Sequence, residues 1–167
     1  MQTKRLTRNA LLAGLALIIF IIELQIPALS PVPGLKLGLS NIITVYAIFV
    51  LTPRDALEIL TTRILLGTFL SGNLSALMYS AAGGLMCYLT MLGLRHVLTP
   101  KQIWIASAMG AIAHNLGQIL AAIAITKTPA LFSYFPIMTA GGMIAGLFTG
   151  LCGQYMAQRL GRSDERS

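Results

Sequence analysis

Charge is what this sequence has least of. Only 10% of its 167 residues are charged against 56% hydrophobic, and the mean hydropathy is +0.77. A water-soluble globule could not cover itself with so little polar surface, so the composition excludes that class and requires an integral membrane protein. Cysteine is nearly absent: Cys87 and Cys152 both fall inside apolar runs, where they read as small core residues with no disulfide or zinc role. No phosphate-cradling G-x-x-x-x-G-K-[S/T] loop occurs, so any ATP-driven process would need another chain. His114 lies in an apolar run without a nucleophile or ligand set near it, and His96 falls far away on a loop. The expectation is a non-enzyme with no catalytic residue, no metal and no cofactor.

What is there is apolar sequence in six runs, at about 9–26, 39–51, 56–70, 74–94, 103–125 and 131–157. Crossing roughly 30 Å of hydrocarbon takes about 20 helical residues. The runs at 39–51 and 56–70 are short, so they are expected to begin or end in irregular backbone buried by protein. The runs are continuous and lack period-two alternation, which excludes an outer-membrane β-barrel. They also recur along the whole chain, so the first is not read as a removable signal peptide. The predicted fold is an all-α six-transmembrane-helix bundle, one membrane domain over 1–167 with short tails at 1–8 and 158–167.

Basic residues orient it. Lys4, Arg5, Arg8, Arg54, Arg95, Lys101, Arg159, Arg162 and Arg166 fall on the side of both termini, and Lys36 and Lys127 on the other. Such a bias predicts both termini in the cytoplasm of a bacterial inner-membrane protein. The net charge of +7 is thereby topological, and no nucleic-acid partner is expected.

Arg63, midway along the third run, is counted on neither side. An unpaired charge at that depth costs roughly 3 kcal/mol or more, so its side chain must face protein or water. Glu23 lies in the outer half of the first run, and "AHNLGQ" in the fifth places His114, Asn115 and Gln118 on one side of a helix. Glu23 is either a counter-ion for Arg63 or Lys36 or a ligand contact. The fifth-run stripe is either interhelical hydrogen bonding or part of a site. "PGLKLGLSNI", Pro33 to Ile42, follows a proline-rich break and alternates leucines with Lys36, Gly38 and Ser40. It reads as extended backbone that folds over the outer mouth and turns Lys36 and Asn41 towards a cavity, or else as an interfacial lysine snorkelling to headgroups. Small residues form two further patterns. Ala10 and Gly14, with Ala13 beside them, permit close approach of a partner helix or packing within the bundle, and Gly142, Gly146 and Gly150 point to tight packing of the last helix.

"PGLKLGLSNI", "TRILLGTFLSG" and "GAIAHNLGQILAA", in that order over essentially the full chain, resemble the signature segments of the Gx transporter family, also called heptaprenyl diphosphate synthase component I. That family is similar in size and six-span organisation to the S components of energy-coupling factor (ECF) transporters. The resemblance implies a substrate-binding membrane subunit holding a small solute in its outer half; the polar groups read above, Glu23, Lys36, Asn41, Arg63, His114, Asn115 and Gln118, are the expected contacts, and their charge balance favours an anionic or strongly hydrogen-bonding solute. It also implies docking through Ala10, Ala13 and Gly14 on a transmembrane coupling subunit with an ATPase pair. The second family name implies prenyl diphosphate synthesis, whose familiar soluble enzymes hold magnesium in aspartate-rich clusters. The only aspartates here are Asp55 and Asp164, each beside basic residues, so an accessory role is the alternative that this name leaves open. A structural subunit without a ligand is the third.

Overall fold

The computed structural model describes residues 2–25, 38–72, 74–99 and 101–164, with side chains described to residue 159. These residues form α1 (Gln2–Leu24), α2 (Asn41–Val50), α3 (Pro53–Ser71), α4 (Leu74–Leu94), α5 (Ile103–Thr126), a 3-10 turn (Pro129–Tyr134) and α6 (Phe135–Asp164). The all-helical expectation holds, and the six runs correspond to the six helices.

Among the described residues four segments are long and apolar enough to cross a membrane: α1, α4, α5 and the stretch Pro129–Arg159 that contains most of α6. Six helices are present, and among the described residues these four meet the length and hydropathy of a full span. With 10 residues, α2 rises about 15 Å, half a hydrocarbon core. With 19 residues, α3 is long enough, but Arg54, Asp55, Glu58 and Arg63 lower its hydropathy. The ends differ as well. Residues 2–8, expected as a tail, form the first turns of α1, and α6 continues past the expected end at 157.

Local chemistry sets several boundaries. Thr52 caps α3 by accepting a hydrogen bond from the Asp55 backbone N–H, and the Asp55 side chain accepts from the Thr52 backbone in return. Pro53 follows at the first helical position, where its missing N–H costs nothing. At the other end Gly72 takes the left-handed conformation that closes the helix.

The centre of the bundle is α2, which packs against all five other helices. Ile43, Val45, Ala47 and Ile48 are almost wholly buried and join Ala13, Ala16, Ile59, Leu60 and Met91 in the main core. Around it, α1 packs on α3, α3 on α4, α4 on α5, α5 on α6 and α6 on α2. Close approach along α5 depends on small residues. A Cβ on Gly117 would lie 2.7 Å from the Ala82 carbonyl oxygen and 2.9 Å from the Gly83 Cα of α4. On α6, Gly146 and Gly150 face Ala111, Ala108, Ser107 and Trp104 of α5, so the expected small-residue face does pack within the bundle. Outward faces are apolar, with Leu11, Leu15, Ile18 and Ile22 exposed on α1 and Ile144, Phe148 and Leu151 on α6, as lipid contact requires.

Candidate functional site

Two polar layers interrupt this apolar bundle, one towards each end. The layer away from the N-terminus contains most of the expected site residues. Arg63 comes from the middle of α3 and is 3% exposed. Its Nη1 donates to Ser40 Oγ at 2.6 Å, and its guanidinium carbon stands 6.0 Å from the centre of the Phe20 ring. Glu23, near the end of α1, is equally enclosed and accepts a hydrogen bond from the Gly38 backbone N–H. Its charge is felt at Arg63, but among the described residues the two form no direct ion pair. Glu23 is thus bound to the segment leading into α2. Lys36, the other counter-ion considered for it, lies outside the described residues.

Asn41 opens α2 and stands 3.4 Å, amide nitrogen to Nδ1, from His114 of α5. The His114 ring also reaches the Gly83 backbone of α4 and lies within charge range of Arg63. Asn115 donates to the Met138 carbonyl of α6 at 2.6 Å, and Gln118 packs its side chain against Gly83. All six helices therefore contribute to, or close on, one cluster. Gly38 has φ +80, and a Cβ there would come within 2.8 Å of the Asn41 amide and 3.3 Å of the His114 ring, so the backbone itself forms a wall of the site. Glu23, Asn41, Arg63, His114 and Gln118 lie around Gly38, Ser40 and Gly83, and Asn115 faces α6. Ser40 and the Gly38 amide are members that the sequence reading missed. The signal for Ser40 was available in its adjacency to Asn41.

Six buried atoms here have no hydrogen-bond partner among the described residues: Glu23 Oε2, Asn41 Oδ1, Arg63 Nε, Arg63 Nη2, Asn115 Oδ1 and Gln118 Oε1. Buried polar atoms are ordinarily satisfied, and each orphan costs roughly 1–3 kcal/mol, more when charged. The arrangement thus combines donors on one guanidinium with acceptors on several neighbouring side chains. Among the described residues no three His, Cys, Asp or Glu side chains meet as a metal ion would need.

The N-terminal layer was not foreseen. Asp55 of α3 is 1% exposed and accepts from Arg5 at 2.5 Å, Asn9 at 2.8 Å, Arg8 at 3.2 Å and the Thr52 hydroxyl at 2.8 Å. Glu58 accepts from Arg5 and Asn9 alongside it. Burial pushes the Asp55 carboxyl up, but the hydrogen bonds from Asn9, Thr52 and Arg5 outweigh it and hold the group well below the ordinary carboxylate range. The same bond and the Asp55 charge raise Arg5. "TPRD", Thr52 to Asp55, carries a capping-box pattern that could have flagged Asp55 in the sequence.

The residues expected to meet a partner helix divide. Ala13 is buried in the main core, whereas Ala10 is exposed and a Cβ on Gly14 would have nothing within 4 Å. Only Ala10 and Gly14 present a small outward surface.

A helical bundle with long apolar spans and an enclosed polar cluster places the chain among multi-pass membrane proteins. The chain belongs to the heptaprenyl diphosphate synthase component I family, whose model matches residues 12–156. Neither a curated relative nor a solved structure matches it.

Proposed function

We propose that this protein is a non-catalytic, membrane-embedded binding subunit that takes a small anionic or strongly hydrogen-bonding solute in the cluster around Arg63. The observation that carries the reading is that five of these buried side chains hold six polar atoms with no partner among the described residues. A scaffold would be expected to satisfy its buried groups internally. A ligand with an acidic group for Arg63 and hydroxyl or N–H donors for Glu23, Asn41, Asn115 and Gln118 would complete all of them. In this reading the protein resembles an S component of the bacterial cytoplasmic membrane, with both termini inside. It would work with a coupling subunit and an ATPase pair docked at Ala10 and Gly14.

A second reading is favoured by the family description: an accessory membrane subunit of polyprenyl diphosphate synthesis, with a separate component as its partner. Catalysis would belong to that partner, because Asp55 is already committed to Arg5, Arg8 and Asn9.

Ligand-stabilisation screening separates the two. A ligand at about 100 times its Kd stabilises the folded state by about 2.7 kcal/mol. A water-soluble cofactor precursor or flavin that raises the unfolding temperature of wild type and not of Arg63→Ala supports the first reading. Stabilisation confined to prenyl diphosphates, with a prenyl synthase co-purifying, supports the second. No stabilisation by any of these compounds would leave a structural subunit.

A further inference from the structure

Among the described residues α1 and α6 flank α2 and do not pack closely on each other. The gap between them is a groove of about 620 Å³, floored by Tyr46 of α2 and walled by the first turns of α1 and by Met156 of α6. Its polarity is graded. Lys4 and Arg8 stand at the end nearest the N-terminus with the hydroxyls of Thr3 and Thr7, and the remainder is lined by apolar groups including Leu11 and Leu15. From Lys4 to Leu15 α1 rises about 16 Å at 1.5 Å per residue, close to one leaflet of a hydrocarbon core roughly 30 Å thick. Leu11 and Leu15 are exposed on the outward face of α1, so the groove opens sideways towards lipid.

Its cations retain binding capacity. Arg8 uses one nitrogen on Asp55 at 3.2 Å, which holds the side chain in place and leaves further guanidinium donors. Among the described residues no carboxylate pairs with Lys4. A cationic end at headgroup level and an apolar channel one leaflet long are complementary to a phosphate-headed lipid. An apolar helix laid in the same groove would leave Lys4 and the further donors of Arg8 unmatched.

We propose that this groove binds an anionic phospholipid of the leaflet on the N-terminal side. Its phosphate lies between Lys4 and Arg8, accepting from the Thr3 hydroxyl, and one acyl chain runs past Leu11 and Leu15 over Tyr46 and Met156. The site is separate from the cluster around Arg63 and does not depend on what that cluster binds.

Native mass spectrometry of the full chain, delipidated and then titrated with phosphatidylglycerol or phosphatidylcholine of identical acyl chains, tests it. The expected result is several-fold higher retention of phosphatidylglycerol. Lys4→Gln should remove most of that preference, and Leu11→Trp should lower retention of both lipids by filling the apolar part. Lys4 and Leu11 are exposed, so both variants should keep the wild-type unfolding temperature, and Leu15→Trp provides a second apolar variant if Leu11→Trp does not fold. Equal retention of the two lipids, or a preference unchanged by Lys4→Gln and the tryptophan variant, would overturn the proposal. So would a prenyl diphosphate that displaces phosphatidylglycerol at equal concentration with the same dependence on Lys4, since the groove would then belong to an isoprenoid.

Discussion

Replacing Asp55 by asparagine keeps the shape of the side chain and removes the charge that joins α1 to α3. In the wild type its two oxygens accept from Arg5, Arg8, Asn9 and Thr52. An asparagine has one acceptor oxygen, and its amide would point a donor at donors that have lost their partner. A hydrogen bond to a charged group contributes about 1.5–3 kcal/mol, and loss of a capping contact costs about 1 kcal/mol. The arginine side chains are nearly half exposed, at 46% and 43%, so solvent screening discounts their share. A net cost of about 2–3 kcal/mol follows, which at about 2–4 °C per kcal/mol lowers the unfolding temperature of a chain this size by roughly 4–12 °C. Thermal unfolding in detergent, followed by circular dichroism, reads this directly. Because the folded carboxyl is held below its ordinary value of 3.8, its contribution is full at neutral pH and is lost as pH falls through and below that value. The wild-type to Asp55→Asn difference should therefore shrink in acid. A variant within 1 °C of wild type at pH 7, or a difference that grows as pH falls, would refute the latch.

Three other outcomes follow from the packing and the charge pattern. Gly142→Ala places a methyl group against the Asn115 amide that donates to Met138, so it should cost about 1–3 kcal/mol by thermal unfolding, whereas Gly14→Ala, with open space around it, should be neutral. Gly38→Ala should weaken binding of any solute that stabilises wild type, because it strains a backbone at φ +80 and intrudes on Asn41 and His114; a full ligand response in that variant would separate Gly38 from the site. The positive-inside pattern predicts that Ser167→Cys is protected from an impermeant thiol reagent in intact cells and Ser30→Cys is labelled, and the reverse pattern would invert the assigned orientation.

Much of the upper polar layer was legible because a charged or amide side chain in an apolar run has few places to go. Arg63, Glu23, His114, Asn115 and Gln118 could be expected to converge from depth alone. Their partners could not be read in the same way. Glu23 and Arg63 are natural counter-ions in sequence, yet the former is held by the Gly38 amide and the latter by Ser40, because the turn into α2 passes between them. The helix ends show the same limit. Hydropathy placed α4 at its observed bounds, but it cut α1 at Asn9, where charge begins. The helix continues to Gln2 because Arg5, Arg8 and Asn9 find carboxylates on α3 about 50 residues away, contacts that no local window contains. Likewise Ala10, Ala13 and Gly14 look like one small-residue patch in sequence, although helical geometry turns Ala13 into the core and the other two outward.

The most direct test of the proposed site compares thermal unfolding of wild type, Arg63→Ala, Glu23→Gln and the double variant, each with and without a solute that stabilises wild type. With Nε and Nη2 of Arg63 unpartnered among the described residues, the ligand is their expected complement, so Arg63→Ala should fold with little loss of stability and show no ligand-induced shift. Glu23→Gln should keep its contact with the segment entering α2 and retain part of the shift. A ligand response undiminished in Arg63→Ala would contradict the account, as would a loss of about 3–5 kcal/mol in the unliganded variant, the size expected when a buried ion pair is broken.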